Sequence, residues 1–397
     1  MPELLSPAGD MECLKAAILA GCDAVYLGGK LFGARAFSNN FSNEELIEAI
    51  NYAHLYGVKV YVTINTLIYE REINSFMEYV DFLYRNNVDA LIIQDIGMAS
   101  LIRKTYPNLE LHASTQMHIH NIEGVKLVEK LGLKRAVLAR ETNIDIIKYI
   151  KENTNIELEI FIHGALCVSY SGQCLMSSLI GNRSGNRGTC SGSCRQKYNL
   201  IENNKKLNKE EYLLSTKDLN SLENIGQLIE IGVDSLKIEG RMRSIYYIAT
   251  VISIYRKVID EYCNNKDNYT YNINYEKVLT RCANRDCYVQ FFDGNYGSDC
   301  NYYNERIEIS NQDFLGLVLD YDEDNKMLTI EQRNYFEVLD NVEFLTPTNI
   351  GIPFTIKEMY DLDGNSLDVA RHPKQIIKIP CEINLSKNSM MRVKILG

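Results

Sequence analysis

The sequence predicts an α/β protein: a (β/α)8 TIM-like barrel with a Cys-rich insertion after strand seven, followed by a small C-terminal all-β barrel. Three observations carry this reading. Short apolar runs without alternation recur eight times in the first part of the chain, as strands buried on both faces do. Segments of helical period lie between them. One phrase also repeats, as "AGCDAVYLGG" (20–29), "NNVDALIIQD" (86–95), "IGVDSLKIEG" (231–240) and, more loosely, "LGLKRAVLAR" (131–140). Each copy joins a helix end to an apolar run that stops at a polar residue or glycine.

In chain order the candidate strands are 3–7, 24–28, 59–65, 90–94, 109–115, 135–140, 157–163 and 235–239. Helical segments such as "NEELIEAINYAHLYG" and "NIEGVKLVEKLG" follow Ser or Asn and end near Gly; the last is 244–262. An open doubly wound sheet is the alternative, but so long an alternation fits a closed barrel better. Barrel enzymes gather their active sites at the C-terminal strand ends. Here those ends read Ser6-Pro7-Ala8-Gly9, Gly28-Gly29, Asn65, Gln94-Asp95, Ser114-Thr115-Gln116, Arg140-Glu141, His163-Gly164 and Glu239-Gly240-Arg241. Polar loops are ordinary in α/β proteins, yet eight in register would line a polar cavity.

The barrel is assigned to residues 1–262, its insertion and a charged-tip hairpin to 164–218, with a helix at 221–231. A connecting segment rich in Asn, Tyr and Asp runs over 263–312. Residues 313–397 read as short strands with turn signals "DEDNK" and "DLDGN", and are assigned to the small β-barrel.

Bulk properties narrow the function. The N-terminus has no basic and apolar leader pattern, and no run reaches the roughly 18 apolar residues of a membrane span. A cytoplasmic protein with no membrane partner is expected, in which clustered cysteines suggest metal or catalysis before disulfides. The net charge of −10 argues against polyanion binding by the chain as a whole. A local basic patch remains: Arg183, Arg187, Arg195, Lys197, Lys205 and Lys206.

Four of the eleven cysteines, Cys167, Cys174, Cys190 and Cys194, fall in one stretch spaced C-x6-C-x15-C-x3-C. Zinc knuckles use tighter pairs, because one tetrahedral ion draws two thiolates from a single turn. An iron–sulfur cluster needs one thiolate per iron and accepts wider spacing. Gly164, Gly172, Gly185, Gly188 and Gly192 would let backbone N–H groups approach the sulfurs. A nucleophile pair of Cys167 with His163 or His112 is a further alternative that uses one cysteine of four.

The stretch "ELEIFIHGALCVSYSGQCLMS" (157–177) resembles the signature of the collagenase-like family of peptidases of unassigned catalytic type. The matching residues are Glu159, Phe161, Gly164, Ala165, Leu166, Cys167, Gly172, Cys174, Met176 and Ser177. "ELLSPAG", "DAVYLGG", "HASTQ", "VLARE", "STKDL", "SLKIEGRMRSIYYIATV" and "EQRNYF" extend the likeness over essentially the whole chain.

Within that family the chain is most similar to the oxygen-independent tRNA hydroxylation type. The resemblance implies conversion of a tRNA wobble uridine to 5-hydroxyuridine, a [4Fe–4S] cluster, and prephenate as hydroxyl donor. A peptidase and an iron–sulfur scaffold subunit of another hydroxylase are the alternatives. Cys167, Cys174 and Cys190 match cluster ligands. Some relatives carry a further Cys just after "STKDL"; Asn220 stands there, so Cys194 takes the fourth place.

The expected catalytic set is His112, Gln116, Arg140, His163, Glu239 and Arg241. The histidines and Gln116 would serve proton transfer or substrate hydrogen bonds. Arg140 or Arg241 would pair with the carboxylate of a small co-substrate. The structural alternatives are ion pairs of Arg140 with Glu141 and of Arg241 with Glu239, and a packed His112. The basic insertion and the C-terminal barrel would grip tRNA, with a homo-oligomer or a paralogous partner as further association.

Overall fold

Eight parallel strands close on themselves: Glu3–Pro7, Ala24–Leu27, Lys59–Ile64, Ala90–Ile93, Glu110–Ala113, Arg135–Val137, Glu157–Ala165 and Ser235–Ile238. The eighth lies between the first and the seventh, with Ser235 opposite both Glu3 and Glu159, so the barrel closes. The computed structural model describes residues 1–282, 285–294, 297–302, 313–347 and 349–396. Helices return the chain between strands and start where the sequence places caps. Ser42 and Glu45 form a reciprocal capping box at Asn43–Leu55, and Asn121 and Ser244 cap Ile122–Lys130 and Ile245–Asn264.

The strands lack alternation because both faces are buried. Leu4, Val25, Val60, Leu111 and Leu158 face the helices, while Leu5, Ala24, Tyr26, Tyr61, Ala90 and Ile92 fill the inside. Below that inner cluster the N-terminal end of the barrel is ionic. Fully buried Glu159 accepts from Lys237 Nζ at 2.6 Å and Arg135 Nη1 at 3.2 Å. Arg135 also reaches Glu3 at 2.6 Å and Glu157 at 2.8 Å, and Tyr61 donates to Glu3 at 2.6 Å. Burial pushes the Glu159 carboxyl up, but the Lys237 and Arg135 charges outweigh it and hold the carboxyl below its ordinary range.

The expected hairpin is small. Ile201–Glu202 pairs with Lys205–Lys206 around Asn203 and Asn204, both at positive φ, the turn that suits a two-residue hairpin loop. The chain then does not pass straight to the next helix. Asp218–Asn220 lies antiparallel against the end of the seventh strand, Asp218 opposite Ala165 and Asn220 opposite His163. The insertion thus leaves and rejoins the barrel at the same strand end.

The expected connecting segment carries its own order: the helix Ile273–Cys282, and Cys287–Tyr288 paired with Asp218–Leu219. Its residues 283–284, 295–296 and 303–312 lie outside the described residues. The C-terminal all-β unit is a six-stranded antiparallel sheet, in the order 352–355, 341–345, 390–393, 314–322, 327–332, 376–380. Its two end strands do not pair with each other among the described residues, so it is a sheet where a barrel was expected. Its core is Leu328, Ile330, Phe336, Phe344, Ile377 and Ile379. It docks on the large barrel through Leu317, Leu345 and Met390, a Tyr246–Phe314 ring stack at 5.5 Å, and the Arg333–Glu12 pair.

Removing one partner of a buried ion pair strands the other. Glu159→Gln is therefore expected to lower unfolding stability by about 3–5 kcal/mol, read as a lower urea midpoint. Lys126→Ala, which breaks only the exposed pair with Glu123, should leave the midpoint in place.

Candidate active site at the mouth of the barrel

The C-terminal strand ends enclose a cavity of about 130 Å³. Tyr26, Thr63, Ile92, Ser114, Phe161 and Lys237 form its floor and lower walls, and Arg35, Gln116, Arg140, Glu239 and Arg241 surround them. Cys167, Cys174, Cys190 and Cys194 all line the same cavity from above. None of the four is in a disulfide, and Cys167 and Cys190 are exposed to solvent.

The insertion is held over the barrel by contacts that spend two of its arginines. Arg195 donates to the carbonyls of Leu166 and Thr216 and to Ser215 Oγ, tying the two ends of the insertion together. Arg187 pairs with Glu72 at 2.7 Å and lies 4.0 Å from the Tyr69 ring centre, on the loop after the third strand. Gly172, at φ 74°, sits so near the Gln116 carbonyl that an added Cβ would meet its oxygen at 2.1 Å. The glycines thus serve close approach as well as sulfur contacts; one N–H, that of Gly192, does donate to Cys190 Sγ at 3.4 Å.

Charge converges on Cys167. Arg140 Nη1 donates to its Sγ at 3.2 Å, while Arg140 Nε donates to Ser171 Oγ. The Arg140 charge, joined by Arg35, draws the Cys167 thiol below its ordinary range. Burial instead pushes the Cys194 thiol up. Glu239 accepts from Arg35 at 3.2 Å and from Tyr26 OH at 3.1 Å. Burial opposes its ionisation, but Arg35 and Arg140 hold the carboxyl low.

Neither suggested arginine ion pair forms. Glu141 accepts from Ser171 and lies 3.4 Å from His118, while Glu239 is held by Arg35. Arg241 is buried, donating to Thr63 Oγ1 at 3.0 Å and to Asn40 Oδ1. Burial pushes it down to about 10, and its Nε has no partner among the described residues. Gly28 makes room for it, since a Cβ there would fall 2.4 Å from Nη2.

Gln116, Arg140, Glu239, Arg241 and the four cysteines are therefore brought together. His112 and His163 are not. His112 is fully buried in the lower barrel, 2.8 Å from Glu110 and edge-on to Tyr61. His163 faces outward, 3.2 Å from Tyr255 OH on the long helix, because the strand register shifts there: Phe161 pairs with Lys237 but His163 with Ile238. That extra residue reverses the alternation. Sequence reading did not name Tyr26 or Arg35, and gave Lys237 no role; a lysine inside the apolar run "SLKIEG" was the available signal.

For a cofactor the cysteines are the only soft donors at the cavity among the described residues. Among the described residues no three His, Cys, Asp or Glu side chains converge to hold one metal ion. A cluster that offers each thiolate its own iron suits such a spread, and the neighbouring guanidinium groups suit thiolate charge.

Fold and site together define a closed β/α barrel enzyme class with a four-cysteine mouth. The family model of "Peptidase family U32" matches residues 9–301, and that of the "Peptidase family U32 C-terminal domain" matches 310–392. The chain belongs to peptidase family U32. It is 43% identical to tRNA hydroxylation protein P1 of Bacillus subtilis, over 98% of this chain and 94% of that protein. It is 44% identical to the 23S rRNA 5-hydroxycytidine C2501 synthase of Escherichia coli, over 65% of this chain and 39% of that one. A collagenase of Porphyromonas gingivalis is 34% identical, over 74% of this chain and 73% of that one.

The outward histidine gives a pH test of this geometry. Burial pushes the His163 imidazole down to about 3, so the folded chain binds fewer protons than the unfolded chain below pH about 6.5. Stability contributed by the neutral ring is complete above that value and falls as the pH drops, by up to about 1.4 kcal/mol per pH unit. Urea midpoints between pH 7 and 5 should decline less steeply in His163→Phe.

Proposed function

We propose that the protein is an RNA-modifying hydroxylase that converts a tRNA wobble uridine to 5-hydroxyuridine. The observation that carries this reading is the convergence of four free cysteines and the arginine pair Arg35 and Arg140 on one cavity. The end-to-end likeness to a tRNA hydroxylation protein supports it. Cys167, Cys174, Cys190 and Cys194 would hold a [4Fe–4S] cluster, which when bound supplies redox or Lewis-acid chemistry at the barrel mouth.

The remaining residues handle the substrates. Arg35, absent from the sequence-based set, and Arg140 flank the cavity and recognise the carboxylate of a prephenate-like donor. Arg241 lies deeper, fixed by Thr63 and Asn40, and presents a third guanidinium behind them. Glu239, kept ionised by Arg35, accepts hydrogen bonds or a proton at its carboxylate. Gln116 can donate and accept at a base edge. Tyr26 and Lys237 form the floor beneath these groups, Lys237 tied to Glu159 and Tyr26 donating to Glu239.

The peptidase reading has one observation in its favour, the lowered Cys167 thiol. It leaves three cysteines unused, and both histidines offered as its base lie away from the cavity.

Two measurements test the assignment. Anaerobically purified protein should contain about four irons and four sulfides per chain, and Cys174→Ala should lose them; zinc, or no metal in a folded sample, would argue against it. In a strain lacking this gene and any paralogue, nucleoside mass spectrometry should find 5-hydroxyuridine missing from tRNA. Wild type should restore it and Cys174→Ala should not. Arg35→Ala should raise the donor concentration needed more than it slows the saturated reaction.

A further inference from the structure

A second cleft, of about 570 Å³, adjoins the cysteine cavity and shares Arg140, Cys167, Val168, Ser169 and Tyr170 with it. We propose that this cleft receives the unpaired nucleobase to be modified, stacked on the exposed Tyr170 ring beside the His118–His120 pair, with its edge turned toward Cys167. The inference rests on the RNA reading above and deepens it by assigning the base a place.

The ring geometry is the first ground. The His118 and His120 imidazoles are stacked, with centroids 4.9 Å apart and planes 21° apart, and the Tyr170 ring lies 5.6 Å from His118. Two stacked imidazoles with a phenol ring tilted 39° beside them make an aromatic wall of the kind on which RNA-binding proteins stack splayed-out bases. Their exposure is the second. Tyr170 is 66% exposed and His120 is also exposed, so these rings are not filling the core. His118 is fixed beside them by the Thr115–Met117 turn, which it closes at φ 58°, and by Glu141, 3.4 Å away.

Position and charge give the third and fourth grounds. The cleft volume lies within the range of small-molecule sites, roughly 300–1,000 Å³. Arg140, Thr142 and Thr216 supply polar groups at its wall for base-edge hydrogen bonds, and the shared Cys167 wall puts a seated base next to the cysteine cavity. The chain carries net charge −10, and Arg187 and Arg195 of the expected basic grip are committed to Glu72 and to backbone carbonyls. With those two arginines withdrawn from phosphate, base stacking supplies a share of the affinity.

The probe is a short hairpin RNA with an unpaired uridine in its loop, titrated against the full-length protein by fluorescence anisotropy. Tyr170→Ala and His118→Ala should each weaken binding by about 5- to 100-fold, whereas Tyr170→Phe, which keeps the ring, should bind like wild type. Tyr170 is 66% exposed, so its substitution is expected to leave folding intact. With 4-thiouridine in the loop, irradiation should attach the RNA to peptides from 115–121 or 166–175. Undiminished binding by both alanine variants, or attachment elsewhere, overturns the cleft assignment and leaves the RNA reading standing. Failure of the wild-type protein to bind the hairpin overturns both.

Discussion

Glu159 is a carboxylate with no access to water inside a barrel, and much of the architecture follows from satisfying it. An unpaired buried charge costs several kcal/mol, so such a group persists only among partners of opposite sign. Lys237 and Arg135 provide them, Glu3 and Glu157 balance Arg135, and Tyr61 and Ser235 complete the hydrogen bonds. The network therefore ties the first, third, sixth, seventh and eighth strands across the barrel interior. Lys237 crosses from this layer to the cavity floor, its ammonium 4.4 Å from the Tyr26 ring centre. Tyr26 in turn donates to the Ile238 carbonyl and to Glu239. The seventh strand, which launches the insertion, and the eighth, which ends in Glu239 and Arg241, are held in fixed relation.

That relation matters because the cysteines sit on a loop, and loops position groups less well than strands. Here the loop is clamped at its base by Arg195, at its far side by Arg187, and pressed on the barrel at Gly172 and Gly188. The clamps are cationic, as are Arg35, Arg140 and Arg241 inside. A chain that is acidic overall thus concentrates positive charge at one mouth, where a low-dielectric wall strengthens it. Anionic groups are what such a mouth favours.

The eight strands were legible because burial on both faces leaves an unbroken apolar run, and capping residues such as Ser42 and Asn121 marked the helices between them. The cysteines were legible because they are neighbours in sequence. The ionic layer was not: Glu3, Arg135, Glu159 and Lys237 are scattered over the chain, and no local pattern links them. Strand phase explains the histidines. On the fifth strand His112 faces inward one layer too low, and Ser114, two residues on, is the one that reaches the cavity. On the seventh, period-2 reasoning puts His163 on the same side as Phe161, but the register shift opposite Lys237 and Ile238 turns it to the outer helix. A bulge of this kind leaves no mark in residue type.

The same geometry separates the two chemistries that this family's relatives carry in their names. A cysteine nucleophile that cleaves amides needs a neighbour able to take up a proton and return it to the leaving group, which is why imidazole accompanies it. The group touching Cys167 is Arg140, whose guanidinium stays protonated and can only stabilise negative charge. The imidazoles that share a cleft with it are His118, turned to Glu141, and His120, stacked on His118. An arginine donating to the Cys167 sulfur and three further cysteines around the same cavity are arranged to hold charge in place. Proton delivery to an amide nitrogen would need a different neighbour.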